Sequence, residues 1–221
     1  MTRGKPLAVD LYAGLGGWTE GLLAEGYDVV GFDCERHVYG EARYPAQLVI
    51  QDVLTVHGSQ FKEAALIVAS PPCQAFSYMA MPWSKAKAIE AEYRAGTRDR
   101  AQLTALFDAC FRIQREAIEA AGHHIPLVVE NVRGAQEWVG RAQWCFGSFC
   151  LWGDIPALMP DAKAFKGAGD GWFNDAKRKG GAETGRLSQS GSKSKARKAA
   201  SAHIAKIPEP LSRWIARAWH P

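Results

Sequence analysis

Residues 7–17 read Leu7-Ala8-Val9-Asp10-Leu11-Tyr12-Ala13-Gly14-Leu15-Gly16-Gly17. A short apolar run that ends in a turn is typical of a buried strand, and the glycine-rich turn leads into an amphipathic segment, residues 18–25, that predicts a helix. A strand, a glycine turn and a helix together open a βαβ unit. We therefore predict an α/β fold built on a largely parallel sheet.

Four further apolar runs predict strands, and each is followed by polar or reactive residues. The runs are residues 27–32, 48–50, 66–69 and 127–129, and the residues that follow them are Asp33, Asp52, Pro71-Pro72-Cys73 and Glu130-Asn131. Open α/β sheets bind ligands outside the carboxyl ends of their strands. We expect the functional site at that edge of the sheet.

The rest of the chain predicts two helices, one more strand and a basic segment. A long helix is expected over residues 100–121, a strand over 146–152, and a closing helix after the prolines at 208 and 210. Between Lys163 and Lys198 ten basic residues face three acidic ones, a local excess that favours a polyanionic partner. We predict three parts: a catalytic domain (1–160), a reduced basic Gly/Ser/Lys-rich recognition segment (161–202) and a C-terminal helix that returns to the catalytic domain (203–221).

Composition restricts the class of protein. The chain has 221 residues, 47% of them hydrophobic and 23% charged, values typical of one globular domain. Its apolar runs are shorter than the roughly 20 residues of a membrane span, and its start does not resemble a signal peptide. We expect a cytoplasmic, monomeric protein without a membrane segment.

The five cysteines lie at positions 34, 73, 110, 145 and 150. An odd number without a Cys-x-x-Cys pair predicts neither a disulfide framework nor a zinc site. We expect a reducing compartment and no metal, and His123-His124 lacks accompanying ligands at metal spacing.

Cys73 is the cysteine with the most unusual surroundings. It follows a predicted buried strand and two prolines, in Ser70-Pro71-Pro72-Cys73-Gln74. Each proline fixes φ and removes a backbone donor, so the backbone that presents Cys73 is constrained. A buried free cysteine normally packs as a small hydrophobe, but this position suits a nucleophile.

The glycine turn differs from a dinucleotide fingerprint. It reads Gly-x-Gly-Gly after Tyr12, with Asp33 at the end of the second strand and Asp52 after the third. An acid at the position of Asp33 can hold ribose hydroxyls, and an acid at the position of Asp52 can accept a hydrogen bond from an adenine amino group. The pattern suits a nucleoside cofactor such as S-adenosyl-L-methionine.

Three motifs in this order resemble the DNA cytosine-5 methyltransferase family. Residues 10–17 look like its first motif, Pro72-Cys73-Gln74 like its catalytic motif, and Glu130-Asn131-Val132 like its Glu-Asn-Val motif. The resemblance covers residues 7 to about 153. It implies a Rossmann-like, S-adenosylmethionine-dependent methyltransferase sheet with a reduced basic recognition segment.

The resemblance also implies roles for individual residues. Cys73 would add to carbon 6 of cytosine, Glu130 would protonate ring nitrogen 3 with a raised pKa, and Arg141 would hold the cytosine carbonyl oxygen, with Arg133 as its competitor. The base that removes the carbon 5 proton is not assigned and water can serve. The implied cofactor-binding residues are Tyr12, Gly14, Gly16, Gly17, Asp33, Asp52, Val53, Pro72 and Leu103.

The expected partner is double-stranded DNA with a flipped target base. The segment 74–98, with Ser77 and Lys85, is the candidate for the loop that closes over that base. Two departures from the family stand out: its Gln-x-Arg-x-Arg motif has no clear match, and Ile204-Ala205-Lys206-Ile207-Pro208 occupies the place of Gly-Asn. Such a compact version looks like phage and prophage enzymes.

Three alternatives stay open from the sequence. An RNA cytosine methyltransferase would use the same catalytic set, and a basic segment binds either polymer. The missing Gly-Asn favours a catalytically silent DNA- or partner-binding relative, whereas the intact Cys73 and Glu130 argue against it. A small-molecule methyltransferase would leave the basic segment unexplained. The biological role, in restriction-modification or elsewhere, is equally open.

Overall fold

A computed structural model describes residues 4–74, 76, 83–147, 149–159, 199, 202–203 and 205–221. The predicted recognition segment, residues 161–202, lies almost entirely outside the described residues, as do Ser77 and Ile204. The side chain of Lys85 is likewise outside them. In the part of the chain that the structure describes, no helix is long and apolar enough to span a membrane.

The fold is a seven-stranded mixed sheet with helices on both faces, which confirms the predicted α/β class. The helices are α1 (Gly17–Ala24), α2 (Trp83–Arg94), α3 (Arg100–Ala121), α4 (Gln136–Val139) and α5 (Glu209–Ala218). The strands are β1 (Leu7–Leu11), β2 (Asp28–Asp33), β3 (Val38–Tyr39), β4 (Ala42–Arg43), β5 (Gln47–Ile50), β6 (Ala64–Ala69), β7 (Leu127–Asn131), β8 (Trp144–Phe146) and β9 (Phe149–Gly153).

The sheet has the order β5-β2-β1-β6-β7-β9-β8, and β3 and β4 form a separate hairpin. Strands β5, β2, β1, β6 and β7 are parallel, whereas β9 is antiparallel to β7 and β8. Parallel pairing brings the carboxyl ends of five strands to one edge. The residues predicted to follow those strands therefore share that edge.

Strand β7 is longer than the sequence predicts. The apolar run suggests an end at Val129, but β9 continues to pair with it, and Glu130 and Asn131 lie opposite Leu151 and Cys150. The antiparallel partner supplies backbone hydrogen bonds that the apolar pattern does not reveal. Glu130 is consequently held on a regular strand within the sheet.

The predicted strand at 146–152 is a hairpin instead. Gly147 adopts a positive φ of 58°, a conformation suited to glycine, and it separates β8 from β9. The register places Cys145 opposite Cys150, and the two form a disulfide with a Cα–Cα distance of 4.1 Å. The sequence prediction of no disulfide is wrong here, because an odd total leaves room for one local pair on facing strands.

Two apolar layers cover the sheet. On one face α3 packs its buried side chains, among them Phe107 and Ile113, against the strands; on the other, α1 and α5 cover Ala8, Leu66 and Val128. Helix α5 docks on α1 so closely that a Cβ on Gly21 would lie 2.1 Å from Ser212 Oγ. The closing helix thus returns to the first βαβ unit.

Candidate active site

The glycine turn after β1 is held by backbone contacts and by one carboxylate. Tyr12 has a φ of +60°, unusual for a residue with a side chain, and Ala13 N donates to Phe32 O at 3.0 Å. Gly14 N donates to Asp33 Oδ2 at 2.9 Å. The first turn and the end of β2 therefore form one connected surface.

Asp33 is buried but still has acceptor capacity. Its Oδ1 accepts from Glu35 N at 3.2 Å and lies 3.5 Å from His37 Nε2. Each carboxylate oxygen has two lone pairs, so bonds to Gly14 and Glu35 leave room for further donors. His37 was missed by sequence reasoning, because nothing in the spacing marks it as a neighbour of Asp33.

Asp52 and Val53 lie at the same edge but differ in exposure. The exposed Asp52 accepts from Leu54 N at 2.9 Å and caps the short turn of helix that follows β5. Val53 is buried in the apolar layer on the α3 side. Among the predicted adenine contacts, Asp52 is therefore the more accessible side chain.

The two remaining glycines of the turn are tightly packed. A Cβ on Gly16 would lie 2.5 Å from Pro45 Cδ, and one on Gly17 would lie 2.4 Å from Ile207 N. By contrast, a Cβ on Gly14 would have only Tyr12 O nearby, at 3.9 Å. Gly14 thus borders open space, and Gly17 serves the packing of the returning C-terminal segment.

Tyr12 and Leu103 are joined to the same apolar layer. Tyr12 OH donates to Leu106 O of α3 at 2.7 Å, and burial raises the pKa of this phenol. Leu103, one turn earlier on α3, is buried in the core. Leu103 therefore packs in the same apolar layer as Tyr12, and its contact with a cofactor stays a prediction.

A buried acid supports the turn from the other face and was not singled out from the sequence. Thr19 Oγ1 donates to Asp10 Oδ2 at 2.6 Å and lies 2.6 Å from Tyr44 OH. Burial raises the pKa of Asp10 to about 8. The contact fixes the start of α1 on β1, and the only sequence signal for it was an acid inside an otherwise apolar strand.

The Pro-Pro-Cys turn follows β6 and is anchored on both sides. Ser70 N donates to Leu11 O at 3.2 Å, and Phe76 N donates to Cys73 O at 2.9 Å. On the side of β7, the buried Asn131 Nδ2 donates to Pro71 O at 2.9 Å. Pro72 is exposed and Cys73 half-buried, so the thiol is presented at the sheet edge from a fixed backbone.

The electrostatics link Cys73 to Glu130. Burial raises the pKa of the Cys73 thiol, and the charge of Glu130 raises it further. Burial also raises the pKa of Glu130 to about 8, against a hydrogen bond from Ser70 that lowers it. Glu130 is therefore mostly protonated at neutral pH, which is the form that can donate a proton.

The two candidate arginines lie on exposed backbone beyond β7. Arg133 begins the turn of helix after β7, and Arg141 lies between α4 and β8. Both side chains are exposed. The geometry does not select one of them, and Arg141 stays a prediction.

A cluster of aromatic and charged side chains ties α2 to the segment after Glu130. The rings of Tyr93 and Trp138 meet edge to face, 5.5 Å apart, and Arg94 pairs with Glu137. Arg100 lies over the Trp138 ring, 5.9 Å from its centroid. The far end of the segment 74–98 is thereby fixed to α4, close in sequence to the Glu-Asn-Val strand.

The described residues contain no group of three or more His, Cys, Asp or Glu side chains arranged to hold a metal ion. Backbone amides, carboxylates and a tyrosine instead line the edge near β1, β2 and β5. These groups suit a neutral or cationic nucleoside with hydroxyl and amino donors.

The chain matches one family model. The family model described as C-5 cytosine-specific DNA methylase matches residues 8–136, more than half of the 221 residues. No curated protein matches the chain.

Several solved structures match with low identity. A protein described as a DNA modification methyltransferase of an E. coli prophage is 20% identical, with a TM-score of 0.41, and the match covers 62% of this chain and 35% of that one. The Dnmt2 methyltransferase of S. pombe is 17% identical, with a TM-score of 0.37 and coverages of 62% and 37%. The methyltransferase EhMeth of Entamoeba histolytica is 16% identical, with a TM-score of 0.37 and coverages of 62% and 41%. The matched region thus spans about two fifths or less of each of these proteins.

Proposed function

The chain belongs to the C-5 cytosine-specific DNA methylase family, and from this premise we propose that it transfers a methyl group from S-adenosyl-L-methionine to carbon 5 of cytosine in DNA. The observation that carries the proposal is the pair Cys73 and Glu130, a half-buried thiol and a buried acid that are electrostatically coupled at the carboxyl ends of β6 and β7. A silent binding relative would have no need of this pair.

Cys73 acts as the nucleophile. Its sulfur forms a bond to carbon 6, and the displaced ring electrons make carbon 5 nucleophilic. Glu130 donates its proton to ring nitrogen 3 as that charge develops. Carbon 5 would then bond to the methyl group as the bond between that methyl and the sulfonium of the donor breaks. Loss of the carbon 5 proton to a base such as water expels the sulfur of Cys73 as a thiolate and returns the nitrogen 3 proton to Glu130.

The pKa shifts support this order of events. While Glu130 is ionised, its charge disfavours the thiolate of Cys73. A protonated Glu130 removes that repulsion and is also ready to donate. The protonation state that suits the acid therefore also favours the nucleophile, although the buried thiol still has to lose its proton.

The residues near β1 and β2 fit the proposed methyl donor. When bound, S-adenosyl-L-methionine supplies an electrophilic methyl group at its sulfonium. Gly14 borders open space in which a ligand can approach the backbone, and Asp33 keeps acceptor capacity for ribose hydroxyls. Asp52, exposed after β5, can accept from an adenine amino group.

Double-stranded DNA is the proposed polymer. Carbon 5 of cytosine is inaccessible to a cysteine while the base is stacked, so the base has to leave the helix. The basic segment 161–202 would contact phosphates, in which case affinity falls steeply with salt. We propose the chain as a monomer that uses no metal.

The direct test is a transfer assay with labelled S-adenosyl-L-methionine, using duplex DNA and structured RNA as separate acceptors. We expect label on DNA, and its loss in Cys73→Ala. Cys34→Ser, which alters an exposed thiol, is the control and should retain transfer. Label on RNA alone, or transfer that survives in Cys73→Ala, contradicts the proposal.

A second experiment tests the covalent step. In the presence of S-adenosyl-L-methionine, DNA with 5-fluorocytosine at target positions should form a stable adduct, because the methylated carbon 5 then carries a fluorine that cannot leave as a proton does. Peptide mapping should place the adduct on Cys73, with the exposed Cys34 as an internal control within the same sample. An adduct on any other residue contradicts the assigned nucleophile.

A further inference from the structure

Ser70, which directly follows β6, and Glu130 of β7 occupy neighbouring positions beyond the last paired residues of these two parallel strands. Ala69 of β6 pairs with Val129 of β7, so the residues that follow this pair are Ser70 and Glu130, respectively. Val68 and Val128, two positions earlier, both lie in the apolar layer under α1. Since side chains two residues apart share a face, Ser70 and Glu130 point to the α1 side of the sheet.

Trp18, near the start of α1, reaches Ser70 from that same side. Its Nε1 donates to Ser70 Oγ at 2.9 Å, and the tryptophan is almost wholly buried. An indole N–H is only a donor, whereas a hydroxyl has one proton to give. With its oxygen engaged as the acceptor, the Ser70 hydroxyl has its proton available for the Glu130 carboxyl group.

We propose that Ser70 and Trp18 are positioning residues that orient the carboxyl group of Glu130 for proton donation. The inference rests on the proposed function for its catalytic meaning. A hydroxyl that donates to one carboxyl oxygen favours placing the acid proton on the other oxygen. Trp18 and Ser70 therefore select which oxygen of Glu130 carries the proton toward a bound base.

The arrangement also connects the two halves of the site. Trp18 directly follows the glycine turn that borders the proposed methyl-donor region, and Ser70 directly precedes the Pro-Pro-Cys turn. The line from Trp18 through Ser70 to Glu130 crosses from α1 to β6 and then to β7. The first turn and the acid are thus connected by contacts that do not involve Cys73.

Among the described residues, few charged groups compete with the contact between Ser70 and Glu130. Ser70 lies directly after β6, strand β9 places Leu151 opposite Glu130, and the Pro-Pro-Cys turn contributes the titratable thiol of Cys73. Burial and Ser70 account for the pKa shift of Glu130. Removing the Ser70 hydroxyl should therefore raise that pKa further.

The test uses Ser70→Ala, Trp18→Phe and the double variant, with Ser212→Ala as the control. Ser212 is a buried serine of α5, on the side of the sheet that Trp18 and Ser70 share, but its hydroxyl donates to Glu209 O of the same helix. In Ser70→Ala we expect kcat to fall about tenfold, as for loss of a hydrogen bond to an ionisable group, with KM for S-adenosyl-L-methionine within about twofold. The descending alkaline side of the pH–rate profile, where Glu130 loses its proton, should move to higher pH.

The double variant tests the direction of the effect. If Trp18 acts through Ser70, adding Trp18→Phe to Ser70→Ala should change kcat by less than about twofold, since coupled residues are not additive. If the losses of kcat in the two single variants add up in the double variant, Trp18 does not act through Ser70. Thermal unfolding of every variant separates loss of fold from loss of positioning.

A measurement without methyl donor or DNA keeps the inference distinct from the proposed function. In protein labelled with ¹³C at glutamate side-chain carboxyls, the Glu130 signal is identified by its absence from Glu130→Gln. Its titration midpoint should rise in Ser70→Ala and stay unchanged in Ser212→Ala. An unchanged midpoint in Ser70→Ala overturns the inference, whereas failure of the wild-type protein to methylate either polymer overturns only the proposed function.

Discussion

Asn131 Nδ2 donates a 2.9 Å hydrogen bond to the carbonyl oxygen of Pro71, which ties the strand of the candidate acid to the turn of the candidate nucleophile. Its other amide atom, Oδ1, accepts from Val132 N at 2.8 Å. Both ends of the amide are thus engaged, and the side chain is buried. Together with the pairing of β6 and β7, this residue positions the Pro-Pro-Cys turn relative to Glu130.

Asn131→Asp should impair catalysis more than binding. The substitution keeps the size but places a carboxylate oxygen against Pro71 O, where the native group donates, so it removes one hydrogen bond and adds repulsion. We expect kcat to fall about 100-fold, the effect of a misplacement near 1 Å, and the free energy of unfolding to fall by about 1–3 kcal/mol.

The control for Asn131→Asp is Gln143→Ala, which removes an exposed amide that donates to Gly153 O at 3.3 Å. It should leave kcat and stability close to wild type. Single-turnover methyl transfer and urea unfolding measure the two quantities. Wild-type kcat in a folded Asn131→Asp protein would show that the Pro71 contact does not position the nucleophile.

Two buried acids should make the protein less stable as the pH rises. Burial raises the pKa values of both Asp10 and Glu130 to about 8, above those of the unfolded chain. A carboxyl group with a raised folded-state pKa stays protonated in the native protein while the unfolded chain has released its proton. Its contribution is complete below the unfolded-state pKa and is lost as the pH rises through the folded-state value.

Glu130→Gln should accordingly flatten the pH dependence of stability. Between about pH 5 and 8 each such group removes up to about 1.4 kcal/mol of unfolding free energy per pH unit. In Glu130→Gln the slope of unfolding free energy against pH should be smaller by the contribution of one group. Asp28→Asn, at an exposed position on β2, should keep the wild-type slope. Urea unfolding at pH 5, 6, 7 and 8 gives the slopes, and equal slopes for Glu130→Gln and wild type would contradict a raised pKa.

Gly21→Ala should weaken the docking of α5 on α1. A Cβ at this position would lie 2.1 Å from Ser212 Oγ and 2.6 Å from Arg213 N, and a backbone atom cannot move aside as a flexible side chain can. Overpacking of this kind destabilises by about 1–3 kcal/mol. The protein should unfold at lower urea concentration, and amide exchange in residues 209–218 should accelerate.

Gly4→Ala is the matched control for Gly21→Ala, since a Cβ at Gly4 would meet nothing within 4 Å. Gly4→Ala should leave both the urea concentration of unfolding and the amide exchange in residues 209–218 unchanged. Wild-type stability of Gly21→Ala would mean that the two helices can separate by about an ångström without loss, which the buried contacts around Leu22 and Ile215 argue against.

The positions of the main elements could be read from the sequence because their signals are local. Helix α3 has the predicted limits of Arg100 and Ala121, since Asp99 caps its start and Gly122, with a φ of +72°, ends it. The apolar runs likewise predicted five parallel strands and the common edge that holds Cys73, Glu130, Asp33 and Asp52. Each of these features depends on residues close together in the chain.

The contacts that organise the site could not be read in this way, because they join residues far apart in sequence. Trp18 and Ser70 are 52 residues apart, Asn131 and Pro71 are 60 apart, and only the strand order brings them together. The extension of β7 to Glu130 depends in the same way on pairing with β9. A pattern of hydrophobicity records which side chains are buried and not which polar partners they meet.

The disulfide between Cys145 and Cys150 should contribute measurably to stability. The two residues face each other on β8 and β9 and are five positions apart in the sequence. Closing so short a loop restricts the unfolded chain and so stabilises the fold by about 2 kcal/mol. Protein purified under oxidising conditions and then denatured should show three reactive thiols, from Cys34, Cys73 and Cys110. Reductant should lower the free energy of unfolding of the wild-type protein by the same amount as Cys145→Ser and should have no further effect on that variant. Five reactive thiols in the oxidised protein, or equal stability with and without reductant, would contradict the bond.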